Sequence, residues 1–253
     1  MLRHYDTKRT YKHNIQLASL LCITAGFVNA AGFLAFSVLT TNVTGHAALF
    51  AEQIALQNWK TARVIALWMF LFLAGAFVSS LIVSYIGRNQ RFSYVMPLVL
   101  EAVIILAVAI FGYTYDSSLV AKELFAGGLL FAMGLQNSLV SIVSGSVVRT
   151  THLTGTFTDL GIELAQMIQK PGAEHPALKV RIRLRLVIVF FFMCGALSGA
   201  FVFHYISFYA FYIPVLILFY TLMADVYRIR VKRYYNSLQN PFKRVGRLTR
   251  KSA

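Results

Sequence analysis

Residues 41–45 read TNVTG and residues 151–155 read THLTG, and this pair of matching segments decides the fold. Upstream, the segment from Gly26 to Asn29 matches the segment from Gly134 to Asn137, with a two-residue change of offset. Further matches follow downstream, at Gly75-Ala76 with Gly195-Ala196 and at Met96-Pro97 with Ile213-Pro214. The matches occur in the same order in both parts of the chain, which predicts an internal duplication.

Apolar stretches around these segments are long enough to cross about 30 Å of hydrocarbon. Six are predicted, at 14–39, 64–87, 94–114, 120–143, 184–207 and 209–229. Each matching part contains three, and an odd number of crossings makes the second part enter the bilayer from the opposite face. We therefore predict an all-α polytopic membrane protein with six transmembrane helices in a 3+3 inverted-topology repeat, an architecture that many secondary transporters share. Its regions are a basic N-terminus (1–13), a first repeat (14–115), a second, inverted repeat (116–229) and a basic tail (230–253).

Composition and charge agree with a membrane protein. Hydrophobic residues make up 58% of the 253 and charged residues 13%, far from the composition of a soluble domain. The formal net charge of +15 arises in short basic clusters between apolar runs, so it indicates membrane flanks and not nucleic-acid binding. Of the 24 basic residues, 21 fall on one predicted side, and only Lys60, Arg63 and Lys122 fall on the other. Both termini are therefore predicted to be cytoplasmic. A signal peptide at the start is disfavoured because the apolar run continues to Leu39.

The two TG segments stand where a span stops and another helix begins. Thr and Asn favour helix N-caps, and Gly permits a sharp turn. The stretches that follow, 46–57 and 156–169, are too short to span and too apolar for loops, so we predict two short broken or re-entrant helices. Their positive N-terminal ends would suit an anion or a polar solute. Amphipathic helices lying at the membrane interface are the open alternative.

The predicted solute pathway combines these helix starts with amides of the first and fourth spans. Its residues are Asn29, Thr41, Asn42, Thr44, Gly45, His46, Gln136, Asn137, Thr151, His152, Thr154 and Gly155. An amide inside a membrane must find a partner, and hydrogen bonding between helices explains the two asparagines equally well.

An acidic stripe follows the second TG segment. Its members share one helical face, at spacings of 4, 3, 4 and 3: His152, Thr156, Asp159, Glu163 and Gln166. Asp159 and Glu163 are one turn apart and could not both ionise easily in a low-dielectric cavity, which predicts proton coupling there. The alternative is a pair of solvated carboxylates near Arg149 and Lys170. Glu101, within the third span, is a further candidate for the pathway.

Enzyme and metal chemistry lack the motifs they require. The chain has no HExxH, GxSxG, P-loop or dinucleotide fingerprint, so we expect neither an enzyme nor a cofactor. Metal binding by His46 with His152 is disfavoured because no cysteine or dense carboxylate set accompanies them.

Two features predict partners. Small residues four apart, at Gly75 with Ser79 and Gly195 with Gly199, mark close packing of the second and fifth spans, within the chain or in a homodimer. Nine basic residues between Arg228 and Lys251 predict binding of anionic lipid headgroups by the tail. A protein partner for the tail is an open alternative, and nucleic acid is the weaker one.

The segments GFVNAAGFLAFSVLTTNVTGHAALFAEQIA (26–55) and MGLQNSLVSIVSGSVVRTTHLTGTFTDLGIELAQMI (133–168) resemble the YoaK-like family of bacterial inner-membrane proteins. The resemblance covers nearly the whole chain up to about residue 230, and it implies a six-helix integral membrane protein of the bacterial inner membrane. It implies no substrate. Together these patterns favour a transporter or channel for a small polar or anionic solute, with proton coupling as an option. The alternative is a bundle that does not transport but binds lipid or a partner protein.

Overall fold

The computed structural model describes residues 11–87, 93–114, 118–169 and 176–224, and throughout these ranges it contains helices and turns but no strand. Seven helices have defined bounds: α1 (Tyr11–Phe36), α2 (Val43–Ala55), α3 (Trp59–Ile86), α4 (Val95–Phe111), α5 (Leu119–Ser144), α6 (Leu153–Gln169) and α7 (Pro176–Ile206). A 3-10 turn, Ser207–Phe211, follows α7, and the chain is helical again over 212–224.

Local sequence explains where several helices begin and end. Asn42 caps α2, Asn58 caps α3 and Ser118 caps α5, and each side-chain oxygen accepts a hydrogen bond from the backbone N–H three residues later. Such caps satisfy a donor that the first turn leaves free. At the other end of α5, Gly145 adopts a left-handed conformation with φ of 62°, which glycine adopts without strain.

Five segments are long and apolar enough to cross a membrane: Ala18–Phe36, Trp59–Ile86, Val95–Thr114, Val120–Ser144 and Pro176–Ala224. The first four agree with the first four predicted spans. The fifth predicted span falls within the last segment, and so does the sixth up to residue 224, where the described residues end. This segment is 49 residues long and contains the 3-10 turn. The all-helical membrane class is therefore confirmed.

Exposed apolar stripes on α3 and α7 form faces suited to contact with lipid. On α3, the stripe consists of Phe70, Leu73, Phe77 and Leu81, each more than half exposed. On α7, it consists of Leu186, Phe190, Met193, Leu197 and Phe201. Residues three and four apart share one helical face, so each stripe is continuous. A soluble protein rarely exposes such patches, whereas hydrocarbon accommodates them.

Close helix crossings at glycines hold the bundle together. A Cβ atom on Gly26 of α1 would clash with the backbone of α7 at Phe192, and one on Gly195 of α7 would clash with α1 at Ile23. In the same way, Gly75 of α3 and Gly134 of α5 leave no room for a Cβ against each other's helices. The small residues of the second and fifth spans therefore pack within the chain, against α5 and α1, and not against each other.

The short helices rest on the long ones. α2 packs against α3, and α6 packs against α7. Each buries few of its own residues, namely His46 on α2 and both Thr156 and Glu163 on α6. The bodies of these helices are therefore largely exposed, while their first turns point into the bundle at the cavity described next.

Candidate functional site

A cavity of about 610 Å³ brings the starts of α2 and α6 together. Eight of the twelve predicted pathway residues line it: Asn29, Thr41, Asn42, Thr44, Asn137, Thr151, His152 and Thr154. Phe72 and Phe192 add aromatic walls. The two TG segments, 110 positions apart in the chain, thus face one polar space.

The start of α2 is held by two asparagines. Asn42 Oδ1 accepts a hydrogen bond from the Gly45 N–H at 2.9 Å. Asn29 Oδ1, from α1, accepts hydrogen bonds from the Thr41 N–H at 3.2 Å and from the Thr41 hydroxyl at 3.0 Å. These bonds tie the first TG segment to α1 at the wall of the cavity.

The start of α6 is built differently. The His152 ring lies directly over Gly155, where a Cβ would clash with the imidazole. The Thr156 N–H and hydroxyl both donate to the His152 carbonyl oxygen, at 3.1 and 2.9 Å. Glycine is therefore required at position 155 so that the imidazole can cover the first turn of the helix.

Asn137 does not repeat the contact made by its counterpart, Asn29. The Asn137 Oδ1 atom is buried and has no hydrogen-bond partner among the described residues. A buried, unpaired acceptor costs free energy, and this unsatisfied oxygen belongs to a residue that lines the cavity.

Three further polar residues line the cavity and were not predicted as pathway residues: Ser141, Ser146 and Arg149. Ser141 could have been found, since it lies one helical turn after Asn137 and therefore on the same face. Arg149 stands two residues before Thr151, but its charge suggested only a membrane flank. Among the described residues it is the one charged side chain that lines the cavity, and none of their carboxylates forms an ion pair with it.

Four predicted pathway residues lie outside this lining. His46 is buried, its Nε2–H donates to the Leu39 carbonyl oxygen at 2.9 Å, and its ring centroid lies 5.7 Å from that of Trp68. Burial lowers the pKa of His46, partly offset by this hydrogen bond. Gln136 is fully buried and donates to the Leu21 carbonyl at 2.9 Å and to Thr150 Oγ1 at 3.2 Å, so it joins α5 to α1. Gly45 lies under the capping side chain of Asn42.

Gly155, the fourth of these residues, lines a second cavity of about 370 Å³. Of the predicted acidic pair, Asp159 lines this cavity and Glu163 does not. Asp159, Arg181 and Arg185 line it, and it shares Ser146, Arg149 and His152 with the larger cavity. The shared residues make the two spaces neighbours.

Ion pairs fix the acidic stripe to α7. Arg185 Nε and Nη2 donate to the two oxygens of Glu163 at 2.7 and 3.1 Å, and Arg185 Nη1 lies 2.9 Å from Asp159 Oδ2. Arg181 Nε adds a contact of 3.3 Å to Glu163. The Glu163 side chain is 8% exposed and that of Asp159 50%. The arginine between them offsets the like-charge repulsion on which the proton-coupling prediction rested. The predicted neighbour Arg149 lines the smaller cavity together with Asp159, but the ion pairs of the two carboxylates within the described residues are with these α7 arginines. Lys170 lies outside the described residues.

Glu101 lies away from the cavities. Glu101 is fully buried in α4, both of its carboxyl oxygens lack a partner in the described part of the chain, and it lines neither cavity. Within residues 11–87, 93–114, 118–169 and 176–224, no group of three or more His, Cys, Asp or Glu could hold a metal ion.

Comparison with known proteins supplies a family. No curated protein and no solved structure matches the chain. A family model described as "Protein of unknown function (DUF1275)" matches residues 17–224, which include all seven helices from the second turn of α1 onward. This match confirms the resemblance to YoaK-like proteins, and the chain belongs to the DUF1275 family.

Proposed function

We propose that this protein is a membrane transporter or channel that moves a small polar or anionic solute through the 610 Å³ cavity. One observation carries the proposal: the helix starts of both TG segments line the same polar cavity. A helix start presents unpaired N–H groups and a positive dipole end. Secondary transporters place such broken-helix starts at their substrate site.

The proposal includes six spans arranged as two inverted halves. The last apolar segment has 49 residues and would extend about 74 Å as one helix, more than twice the hydrocarbon thickness. Its 3-10 turn, where Ser207 has φ of 50°, is a suitable place for the chain to reverse. Two crossings would then lie in this segment.

Packing supports the equivalence of the halves. The crossing of α1 with α7 uses Gly26 and Gly195, and the crossing of α5 with α3 uses their sequence counterparts Gly134 and Gly75. Exchanging the two halves therefore exchanges one crossing for the other. The exposed stripes also correspond, since Phe70, Leu73, Phe77 and Leu81 are each 120 positions before Phe190, Met193, Leu197 and Phe201.

Orientation and membrane follow from the sequence. We propose that both termini are cytoplasmic, because 21 of the 24 basic residues fall on one side of the proposed spans. The resemblance to YoaK-like proteins supports the bacterial inner membrane as the location. The basic tail, proposed to bind anionic lipid headgroups, lies outside the described residues.

Proton coupling remains the optional part of the proposal. Protonation of Glu163 would weaken its bonds to the Arg185 guanidinium, which donates to both carboxylate oxygens. If coupling occurs there, opening of the ion pair would accompany it. Solute uptake measured with and without a pH gradient distinguishes proton-coupled transport from uncoupled transport.

The proposal is tested by uptake into proteoliposomes that contain the purified full-length chain. A panel of labelled carboxylates, amino acids, polyols and sugars is offered with and without a pH gradient. Asn137→Ala, in the cavity wall, should reduce uptake at least severalfold. Gln166→Ala, which changes an exposed residue of α6 that lines neither cavity, is the matched control and should transport normally.

Two results would contradict the proposal. Folded protein that moves no member of the panel would favour the bundle that binds lipid or a partner protein. Uptake that survives Asn137→Ala unchanged would show that the solute takes a route other than this cavity.

A further inference from the structure

We infer that the cavity selects a small organic anion that also carries a hydrogen-bond donor, and that Arg149 is the residue that determines this selectivity. The inference rests on the proposed function and names the substrate class of the same site. It concerns two groups that meet the cavity from different elements, Arg149 from the segment before α6 and Asn137 from α5.

The charges of the lining favour an anion. Within the part of the chain that the structure describes, Arg149 is the one charged side chain that lines the cavity, no Asp or Glu lines it, and no carboxylate forms an ion pair with Arg149. Arg185, by contrast, is engaged by Asp159 and Glu163. A guanidinium binds a carboxylate through two parallel N–H···O bonds. The positive ends of α2 and α6 have the same sign as Arg149 and would add to the attraction.

A hydrogen-bond donor on the solute would complete the site. Asn137 Oδ1 is a buried acceptor without a partner in the described residues, whereas Asn29 Oδ1 already accepts two hydrogen bonds from Thr41. A hydroxyl or ammonium group on the solute would pair with the open oxygen. A solute without a donor would leave this oxygen unpaired.

The size of the cavity favours an organic solute. A volume of about 610 Å³ lies within the range of about 300 to 1,000 Å³ that is usual for small-molecule sites. A halide or a single oxyanion would fill only a small part of it. The aromatic walls, Phe72 and Phe192, suit a short carbon chain.

The selectivity belongs to the second half alone. Arg149 stands two residues before the second TG segment, and the residue two positions before the first is Leu39, which lines the same cavity. The positive charge of Arg149 therefore lies beside the second TG segment, and the first TG segment has no counterpart to it. Because Arg149 also lines the smaller cavity, it stands where a solute would pass between the two spaces.

The test compares three probes of nearly equal size on the purified full-length chain. Lactate carries charge and donor, propionate carries charge alone, and lactamide carries the hydroxyl without the charge. Calorimetric titration should show tighter binding of lactate than of propionate by at least severalfold, and little binding of lactamide. Arg149→Gln should weaken lactate binding by tenfold or more. Arg183→Gln, which removes an exposed arginine that lines neither cavity, should change it less than twofold.

A second variant isolates the donor contact. Asn137→Leu keeps the size of the side chain but removes the acceptor, so lactate should then bind no better than propionate, while propionate binding should change little. Equal binding of lactate and lactamide, binding of neither anion, or an Arg149→Gln variant that binds lactate as the parent does would each overturn the inference.

Flux measurements separate this inference from the proposed function. If proteoliposomes move a neutral solute and Arg149→Gln has no effect, transport stands and anion selectivity is wrong. If lactate binds with the predicted dependence on Arg149 but nothing crosses the membrane, the anion site stands and transport is wrong.

Discussion

Asn29 Oδ1 accepts both the backbone N–H and the hydroxyl of Thr41, at 3.2 and 3.0 Å. The sequence counterpart of this pair is Asn137 with Thr151, yet Asn137 Oδ1 accepts no hydrogen bond from a described residue. The two halves thus have matching sequences but different contacts at the cavity. Hydrogen bonds to Asn29 hold the first TG segment to α1, whereas the corresponding oxygen of Asn137 has no hydrogen-bond partner among the described residues.

This difference predicts unequal costs for two matched substitutions. Asn29→Ala leaves the Thr41 N–H and hydroxyl without their acceptor, and it should lower the free energy of unfolding by about 1 to 3 kcal/mol. Asn137→Ala removes an oxygen that has no hydrogen-bond partner among the described residues. Loss of this oxygen should therefore change the free energy of unfolding by no more than about 0.5 kcal/mol. Thermal unfolding of the purified variants in one detergent measures the contrast. Equal destabilisation would contradict the hydrogen-bond assignment.

The glycine crossings predict a second contrast. Gly134→Ala introduces a Cβ that clashes with the Phe72 carbonyl, so the variant should separate α5 from α3 and lose several degrees of melting temperature or fail to fold. Gly161, on the exposed face of α6, has nothing within 4 Å of the position of a Cβ. Gly161→Ala should therefore be neutral or stabilise by up to about 1 kcal/mol through helix propensity.

The ion pairs on α7 predict that Glu163 contributes more to stability than Asp159. Glu163 is buried and paired at both oxygens, whereas Asp159 is half exposed. Glu163→Gln should destabilise by about 2 kcal/mol or more, because it leaves a partly buried arginine with weakened partners. Asp159→Asn should cost less than about 1 kcal/mol. Chemical unfolding of both variants at low and high salt tests this order.

His46 predicts a dependence of stability on pH. Burial lowers its pKa in the folded protein, while the unfolded chain takes up this proton near pH 6.5. Between these two pKa values the unfolded state binds more protons, so the free energy of unfolding should fall as the pH is lowered from about 6.5 and level off above it.

Comparison with a variant isolates this contribution from the other histidines. His46→Gln cannot titrate, and its amide can still donate to the Leu39 carbonyl. The difference in stability between parent and variant should therefore decrease as the pH falls. A difference that is constant from pH 7.5 to 5 would show that His46 binds protons equally in the folded and unfolded states, so that its pKa is not lowered by folding.

Orientation is tested by cysteine labelling in intact cells. A membrane-impermeant maleimide should modify Lys122→Cys, near the start of α5, and should not modify Arg183→Cys, near the start of α7, until the cells are opened. The unsubstituted chain, in which Cys22 is buried and Cys194 partly so, gives the background. Labelling of position 183 from outside would reverse the proposed topology.

Much of the fold could be predicted because each feature depends on neighbouring residues. Runs of apolar residues identify helices long enough to span a bilayer, and caps such as Asn42 satisfy donors within their own helix. The matching TG segments identified α2 and α6 as separate short helices. The boundary between the fifth and sixth predicted spans is hard to place from the sequence, since the apolar character continues through the turn at Ser207–Phe211.

In the candidate site, too, the local features could be predicted from the sequence and the contacts between helices could not. From the sequence alone, one could determine that the starts of α2 and α6 are equivalent and carry polar residues, because the pattern repeats along the chain. Only the tertiary structure decided that Arg149 lines their common cavity, that Arg185 pairs with Glu163, and that Asn29 and Asn137 differ in their contacts. These relationships join separate elements, some across more than 100 positions. They depend on how α1, α3, α5 and α7 cross at their glycines, and helix periodicity carries no information about which helix lies opposite.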